Sequence, residues 1–324
     1  MTTEVDTDPR ALTGPPGAWT RCVSCPICEA TTVVPLCQAR DHHYGNEGVW
    51  SYSRCMSCGA GFLNPFPPAE ALGAFYPQTY YSFGRFGGLK DRAKLWYRKL
   101  MAIPTGTRDP KFASPGAMLD LGCGSGAALK AFRDRGWTVT GVEISAQAAQ
   151  TGREAYALDI HVGHLTEAGL PAGHFDYVRA NHSLEHMTDP HQIFAEVFRI
   201  LKPGGLLHIG VPNLDGLGAK WFGSHWFLFG APVHVFEFTP ASLRELGRRA
   251  GFAVQRITYN SDYSNVLGSL QALANRHKPV RVASQGWIYR NPLLVFLAQR
   301  VVDVFDLLRR GDVVEVTYLK PAGE

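Results

Sequence analysis

The stretch Leu119-Asp120-Leu121-Gly122-Cys123-Gly124-Ser125-Gly126 decides the fold, because it ends an apolar strand in alternating glycines. Backbone without a Cβ lets a nucleotide-like ligand approach closely, and residues 127–132 then predict a helix that begins at this loop. A second acidic residue, Glu143, lies 17 residues after Gly126 at the end of the next predicted strand. A carboxylate at this place meets the hydroxyls of a bound ribose, so the pattern predicts a nucleotide-type site.

The glycine spacing separates two classes of cofactor. Dinucleotide sites use Gly-x-Gly-x-x-Gly and leave the helix N-terminus free for a pyrophosphate, whereas this chain has Gly-x-Gly-x-Gly behind an acid. S-adenosylmethionine has no phosphate and carries an ammonium and a sulfonium, which an acid such as Asp120 suits. The loop therefore favours S-adenosylmethionine over NAD, and a tight structural turn is the alternative that glycines alone leave open.

Length and composition limit the class of protein, its partners and its location. The chain has 324 residues, 45% of them hydrophobic and 19% charged, which is ordinary for a globular protein with one α/β core and a further small module. A net charge of +4 demands no nucleic acid as a partner. Residues 1–9 have no apolar h-region, and no run of 18 apolar residues occurs. We therefore expect no signal peptide, no transmembrane segment and a cytoplasmic location with reduced thiols.

The order of predicted elements indicates an α/β fold with a doubly wound parallel sheet. The predicted strands are 117–121, 138–142, 159–162, 175–180, 205–211, 252–259 and 312–318, and the helices are 88–101, 126–135, 145–157, 190–201, 239–250 and 291–310. The stretch Lys202–Gly205 is predicted as a turn that ends one helix. By domain, we expect a disordered tail over 1–20, a zinc-binding module over 21–66, a helical cap or linker over 67–115, and the α/β domain over 116–324 with an aromatic insertion over 213–236.

Two Cys-x-x-Cys pairs, Cys25 with Cys28 and Cys55 with Cys58, predict a metal site in the N-terminal module. Each pair presents two thiolates on one tight turn, and two such turns close a tetrahedral zinc site. Because four thiolates fill the shell, the zinc is expected to be structural. The alternatives are disulfides, or a ligand exchange that uses Cys22, Cys37, His42 or His43.

With the glycine loop, Glu143, Phe175-Asp176-Tyr177-Val178 and Leu201-Lys202-Pro203-Gly204-Gly205, the chain resembles class I S-adenosylmethionine-dependent methyltransferases over about residues 110–320. The resemblance implies a seven-stranded Rossmann-like sheet whose last strand is antiparallel. It also implies that Asp120 and the glycines bind the methionine half of the cofactor and that Glu143 binds the ribose. The remaining expected cofactor contacts are Ile144, His164, Leu165 and Asn181, where His164 replaces the acid common near the adenine.

A four-cysteine module ahead of such a domain resembles the deoxysugar C-methyltransferases and related natural-product enzymes. That group carries Tyr-x-Glu-His after the fifth strand, whereas this chain has Ala231-Pro232-Val233-His234 and keeps only the histidine. His234 is therefore the first candidate base, with a histidine that only hydrogen-bonds inside the insertion as the alternative. His225, on the same insertion, is a further candidate base that ranks below His234. The aromatic residues of the insertion are expected either to wall an acceptor pocket or to form the core of a lid: Trp221, Phe222, Trp226, Phe227 and Phe229.

The loop after the fourth predicted strand offers a further set of polar side chains. His182, Glu185 and His186 resemble the metal-binding Glu-x-x-Glu-His of ubiquinone-pathway O-methyltransferases, and the simpler interpretation is that they shape the loop. His182 is the second catalytic candidate. Tyr81, with its neighbour Tyr80, is the third and is expected to close over the cofactor or to pack.

The expected function is methyl transfer to oxygen or carbon of a small-molecule acceptor, a natural product or a sugar or polysaccharide precursor. One alternative is an RNA base methyltransferase that uses the zinc module and the basic helix Lys90–Lys99, although nucleic acid is not the expected partner. The other is a non-catalytic cofactor-binding partner protein. The amphipathic segment Asn291–Arg310 is expected to pack on the domain or on a second subunit, as in a homodimer, with peripheral membrane contact as the alternative.

Overall fold

The structure, a computed structural model, describes residues 19–76, 86, 88–100, 103, 106–277 and 282–322. Its strands are β1 Val33–Ala39, β2 Trp50–Cys55, β3 Gly61–Leu63, β4 Ala117–Leu121, β5 Thr138–Glu143, β6 Ile160–Val162, β7 Phe175–Asn181, β8 Leu201–Pro212, β9 Phe236–Glu237, β10 Ala253–Tyr259 and β11 Val313–Leu319. Its helices are α1 Ala69–Leu72, α2 Leu89–Leu100, α3 Ala127–Arg133, α4 Ala146–Tyr156, α5 Pro190–Ile200, α6 Leu217–Phe222, α7 Pro240–Arg249, α8 Tyr263–Ala274, α9 Trp287–Arg290 and α10 Pro292–Leu307.

The large sheet has seven strands in the order β10-β11-β8-β7-β4-β5-β6. Strands β4 to β8 run parallel, and β11 is antiparallel to both of its neighbours. The predicted seven-stranded Rossmann-like fold with an antiparallel last strand is therefore confirmed. The strand order reverses at β4, which lies between β5 and β7. Ligands of such sheets bind outside the carboxyl ends of the strands at this reversal, so the glycine loop after β4 is correctly placed for a site.

Local signals in the sequence account for the helix starts. Ser145 accepts a hydrogen bond from the backbone of the first turn of α4, and Asp189 does the same for α5, which begins with proline. Thr239 and Ser242 form a reciprocal capping box at α7. Each cap satisfies backbone N–H groups that have no partner within the helix.

Two local predictions were wrong. The stretch Lys202–Gly205 belongs to strand β8 and forms a bulge, because the pairing with β7 passes from Leu201 directly to Leu206. The bulge is held by backbone hydrogen bonds between residues 204–205 and Lys320, beyond the end of β11. The second concerns residues 259–291, where no helix was predicted. The structure has α8 there, and the side chain of Asp262 caps its N-terminus.

A second, smaller sheet joins the N-terminal module to the α/β domain. Its order is β1-β2-β3-β9, and all three pairings are antiparallel. Strand β9 follows the aromatic insertion, and its Phe236 pairs with Phe62 of β3. One continuous hydrophobic core runs from Ile27 of the module through Phe236 to Val211 of the large sheet. The module and the insertion are therefore folded together.

Helices α8 and α10 form a separate layer with its own small core, which includes Leu267, Val302 and Phe305. Within the described part of the chain, none of the helices has both the length and the apolar character needed to cross a bilayer. The predicted segment Asn291–Arg310 is α10, and the buried side of α10 packs against α8.

Candidate cofactor and acceptor site

The glycine loop is packed so tightly that side chains are excluded from two of its positions. Gly122 and Gly126 have φ angles of +72° and +86°, in the left-handed region. A Cβ on Gly122 would lie 2.5 Å from the Cβ of Ser183, and one on Gly126 would lie 2.3 Å from Leu158. Gly126 also precedes the first turn of α3. Gly122 and Gly126 therefore allow the loop after β4 to pack closely against its neighbours.

Glu143 lies at the end of β5 beside this loop and is 8% exposed. One oxygen of its carboxylate accepts a hydrogen bond from the N–H of Gly124 at 2.7 Å, and the other accepts from Ser145 at 2.8 Å. The next residue, Ile144, exposes 67% of its surface. The carboxylate and an uncovered apolar side chain thus stand together at the edge where the resemblance places ribose and adenine.

The other expected cofactor contacts lie on three loops. His164 is exposed at the start of a short helical turn, whereas Leu165 is fully buried. Asn181 ends β7, and a Cβ on Gly210 of the adjacent strand would lie 2.5 Å from its amide oxygen. The loops after β4, β5, β6 and β7 all emerge at the carboxyl edge of the sheet, which brings the predicted cofactor residues to one side of the molecule.

Asp120 is buried and paired with a residue that sequence analysis missed. Arg179 on β7 contacts its carboxylate at 2.9 Å and lies 3.3 Å from that of Asp109. Burial raises the pKa of Asp120, and the attraction of Arg179 opposes that rise. The carboxylate of Asp120 is therefore already paired with the guanidinium of Arg179 inside the protein. The signal available in the sequence was a lone arginine inside the otherwise uncharged end of a strand, Tyr177–Asn181.

The loop of residues 181–186 connects the glycine loop to the aromatic insertion. Ser183 packs against Gly122 and donates a hydrogen bond from its hydroxyl to the carbonyl of Leu121 at 2.8 Å. Further along, the N–H of Val235 donates to the carbonyl of Glu185 at 2.8 Å. The ring of His186 lies 4.7 Å from that of His234 in an edge-to-face arrangement. The structure therefore places His234 one loop away from the predicted cofactor site.

Both histidines are oriented by backbone carbonyls. The Nδ1 of His234 is 2.9 Å from the carbonyl of Leu228, and the Nδ1 of His186 is 2.9 Å from that of Val233. A carbonyl only accepts, so the Nδ1 of His234 carries the hydrogen and its Nε2 carries the lone pair. Burial, together with the neighbouring His186, His43 and His182, holds the pKa of His234 well below its usual range. His234 is therefore neutral at pH 7 and retains a free acceptor nitrogen.

Two carboxylates complete this cluster. Glu185 and Glu237 are each 0% exposed. Within the described part of the chain, Glu237 has no hydrogen-bond partner for either oxygen, and Glu185 has none for one of its two. Burial, and then the charge of Glu185, raise the pKa of Glu237 well above its usual range. One ligand atom from each of Glu185, His186 and His234 lies within 4.8 Å of the others.

The remaining catalytic candidates do not belong to the cluster of Glu185, His186 and His234. His182 is exposed, has a φ of +51° and has its Nδ1 3.3 Å from the carboxylate of Glu185. His225 stacks on His42 at 6.2 Å, away from the His186–His234 pair. Tyr80 and Tyr81 lie outside the described residues.

The aromatic residues of the insertion divide into two groups. Trp226, Phe227 and Phe229 are buried, and Phe227 stacks on His43 at 3.9 Å. Trp221 is 63% exposed and contacts Phe305 on α10. A cavity of about 570 Å³ opens at the amino edge of the sheet, beside Asp176 and Lys202, and none of the predicted site residues lines it.

The four cysteines of the N-terminal module form one cluster. Their sulfur atoms all lie within 4.8 Å of one another, with Cys25 and Cys58 at 3.7 Å and Cys28 and Cys55 at 3.5 Å. A tetrahedral zinc–thiolate site with bonds of about 2.3 Å requires sulfur atoms about 3.8 Å apart. The donor set and its spacing therefore fit zinc. Cys22, Cys37, His42 and His43 are not part of the cluster.

Comparison with known proteins agrees with the fold. A methyltransferase-domain family model matches residues 89–257, about half of the chain. A probable S-adenosylmethionine-dependent methyltransferase of Mycolicibacterium smegmatis is 32% identical over 139 residues, which are 43% of this chain and 52% of that protein. An uncharacterized 37.1 kDa protein of a Streptomyces fradiae transposon is 36% identical over 32% of this chain and 33% of its own length.

A ubiquinone biosynthesis O-methyltransferase of Thiobacillus denitrificans is 28% identical over 44% of this chain and 66% of its own length. The chain thus spans from a third to two thirds of these relatives. Among solved structures, a putative methyltransferase in complex with the Haloferax volcanii Trm112 activator is 21% identical, with a TM-score of 0.48 over 71% of this chain and 92% of that one. By its matched domain and its sheet topology, the chain belongs to the class I S-adenosylmethionine-dependent methyltransferase family.

Proposed function

We propose that this protein transfers the methyl group of S-adenosylmethionine to oxygen or carbon of a small-molecule acceptor. One observation carries the proposal: the loop of residues 181–186 contacts the glycine loop at Ser183 and the buried His234 through His186. Cofactor and acceptor residues are thereby held on adjacent loops of one sheet edge. Relatives named as ubiquinone biosynthesis O-methyltransferases support an acceptor of small-molecule size.

The cofactor supplies an electrophilic methyl group on a sulfonium. For this chain we assign Glu143 to the ribose hydroxyls, Ile144 to the adenine face and the backbone of Gly122–Gly126 to the methionine half. The carboxylate of Glu143 already accepts backbone N–H groups on both oxygens, and each oxygen has a further lone pair for a hydroxyl. His164, Leu165 and Asn181 complete the proposed pocket.

His234 is the proposed base. Its Nδ1–H donates to the carbonyl of Leu228, so Nε2 is the atom that accepts the proton of an acceptor hydroxyl or carbon acid. Burial keeps the imidazole neutral and ready to accept. Methyl transfer also requires that nucleophile and methyl group be aligned, and the rigid carbonyl contacts of His234 and His186 fix that side of the site.

The same cluster supports a second version of this function, in which Glu185, His186 and His234 hold a divalent cation. Two imidazoles and one carboxylate, within 4.8 Å of one another, are a donor set that first-row transition metals accept. A cation there would lower the pKa of an acceptor hydroxyl. The two versions differ in their sensitivity to chelators, so one experiment separates them.

The experiment supplies labelled S-adenosylmethionine and a panel of phenolic and nucleotide-linked sugar acceptors, and measures label in the product. His234→Ala is expected to lower turnover by about 10²–10⁴-fold, the usual contribution of a positioned base, with cofactor affinity unchanged. His174→Ala, at the opposite edge of the sheet, is the matched control. Turnover of His234→Ala within about threefold of the parent contradicts the base assignment. Loss of activity on dialysis against a chelator, with zinc content unchanged, favours the cation.

We further propose that Cys25, Cys28, Cys55 and Cys58 hold one structural zinc ion. Because β9 completes the sheet of that module, the zinc would support the insertion that carries His234.

A further inference from the structure

Exposed apolar side chains are concentrated on one part of the molecule. Of the twenty large apolar residues exposed in the described chain, fifteen lie on α2, α6, α8, α9 and α10 or directly after α10. We call these five helices the helical layer. Within this layer, Trp96 and Trp287 are 66% and 70% exposed. The five of the twenty residues that lie outside the layer are scattered over the rest of the described chain. Exposed apolar side chains concentrated on one part of a protein mark interaction sites.

Helix α10 shows why the surface is unusual. Its inner side, which includes Val302 and Phe305, is buried against α8. Its outer side is apolar as well, with Leu297, Val304 and Leu308 between 49% and 59% exposed. A surface helix normally turns polar residues outward, and a helix that is apolar all round is buried in protein or in lipid. The outer side of α10 is therefore more apolar than a solvent-facing helix surface normally is, and its polar part includes the Arg300–Asp303 ion pair, with side chains 41% and 39% exposed.

The helices of this layer are connected to one another. Arg98 of α2 forms a 2.7 Å ion pair with Asp262 at the start of α8, and Tyr97 packs on the core that α8 and α10 share. Trp221 of α6 contacts Phe305 of α10 edge-on, with ring centroids 4.9 Å apart. The exposed apolar residues thus belong to one packed unit.

The net charge of the helical layer indicates the chemistry of its partner. Residues 88–100, 263–277 and 282–310 contain ten lysines or arginines and three aspartates, although the whole chain has a net charge of only +4. The rest of the chain is therefore acidic on balance. Two of the three aspartates are engaged within the protein, Asp303 with Arg300 at 2.9 Å and Asp306 with the hydroxyl of Ser261 at 2.7 Å. Exposed basic residues, among them Lys99 and Arg310, flank the apolar side chains.

We propose that the helical layer docks on an anionic lipid surface. Exposed tryptophans and leucines enter the boundary between headgroups and acyl chains, and a basic border contacts the anionic headgroups. A second copy of this chain fits less well, because a two-fold interface would bring the same positive charges together. The docking is independent of methyl transfer, since binding to lipid is measured without cofactor or acceptor.

The test is sedimentation of the full chain with vesicles of equal parts phosphatidylglycerol and phosphatidylcholine, compared with vesicles of phosphatidylcholine alone. The parent protein is expected to bind the anionic vesicles and to be released by salt. The double variant Trp287→Ser and Leu297→Ser is expected to lower vesicle affinity at least about tenfold, since each buried apolar side chain contributes more than a factor of ten. Lys99→Gln and Arg310→Gln are each expected to lower it about fivefold.

Val23→Ser is the matched control, because Val23 is 81% exposed and lies in the zinc module. Three results would overturn the proposal. The first is equal binding to both kinds of vesicle, or binding to neither. The second is anionic-vesicle affinity that the layer variants leave at the level of the Val23→Ser control. The third is a dimer in sedimentation velocity that the Trp287→Ser and Leu297→Ser pair dissociates, which would assign the surface to a second copy.

Discussion

The hydroxyl of Tyr52, on β2 of the N-terminal module, donates a hydrogen bond to the backbone carbonyl of His234 at 2.8 Å. Tyr52 is 1% exposed, so this bond lies in the interior between the module and the aromatic insertion. From the other side, the hydroxyl of Thr239 donates to the carbonyl of Cys58 at 2.9 Å. The candidate base is thus held between contacts to the N-terminal module, which gives that module a direct structural link to the proposed acceptor site.

Tyr52→Phe removes this bond and keeps the ring. The buried carbonyl of His234 then loses this donor, so we expect the free energy of unfolding to fall by about 1–3 kcal/mol. Urea denaturation measures this loss. Tyr97→Phe, on the half-buried side of α2, is the control and should change stability little. Equal stability of Tyr52→Phe and the parent protein would show that the bond does not hold the loop.

Removal of the metal should also disturb strand β9, which lies outside the four-cysteine cluster. Cys55→Ser is expected to lower bound zinc from one ion per chain, and to disorder β9 because β9 pairs with the module through β3. Metal analysis and proteolysis near residues 226–238 provide the two measurements. Cys22→Ser, outside the four-sulfur cluster, is the control. Purified parent protein with substoichiometric zinc and four freely titratable thiols would refute the site.

Gly122→Ala separates steric exclusion from backbone strain. Gly122 and Gly106 have similar φ angles, +72° and +77°, but a Cβ on Gly122 meets Ser183 at 2.5 Å whereas one on Gly106 meets nothing within 4 Å. Both alanine variants carry the strain of a left-handed conformation. Only Gly122→Ala also overpacks the loop, so we expect it to lose about 1–3 kcal/mol more stability than Gly106→Ala. Equal losses would mean that the loop has room to relax.

Asp312 should make stability depend on pH. Burial raises the pKa of its carboxyl from 3.8 to about 7, although the N–H of Gly218 donates to it at 2.8 Å. The folded state therefore holds this proton more tightly than the unfolded state. The resulting stabilisation is complete below about pH 4 and is lost as the pH rises to about 7, with a slope of at most about 1.4 kcal/mol per pH unit.

Asp312→Asn removes that titration and keeps an oxygen for Gly218. Urea midpoints at pH 5 and pH 7.5 should therefore differ less for Asp312→Asn than for the parent protein. Identical pH dependence of the two proteins would contradict the assignment to Asp312.

The sequence predicted the elements whose signals are local. The apolar run 117–121 followed by glycines gave β4 and its loop, and the Thr239-Pro240 pair marked the start of α7. The four-cysteine cluster also followed from spacing, because each Cys-x-x-Cys turn is a local structure. The alternation of such elements indicated a doubly wound sheet, and the resemblance to class I methyltransferases implied its seven strands with the last one antiparallel.

The features that were missed depend on contacts between distant residues. Strand β9 has only two residues, and nothing in its own sequence indicates pairing with β3, more than 170 residues away. Arg179 pairs with Asp120 across two strands, so the charge that Asp120 offers to a ligand was visible only in three dimensions. For the same reason, the loop motif suggested His182 beside Glu185 and His186, whereas the structure groups those two residues with His234 from the insertion.

The most direct test of the account is calorimetric titration of the full chain with S-adenosylmethionine and, separately, with NAD. We expect S-adenosylmethionine to bind and NAD not to bind. Glu143→Ala should weaken S-adenosylmethionine binding by about 1.5–3 kcal/mol, the contribution of a hydrogen bond to a charged group, while Glu154→Ala, exposed on α4, should leave it unchanged. Binding of NAD, or an affinity for S-adenosylmethionine that Glu143→Ala does not alter, would contradict the cofactor site proposed for the glycine loop.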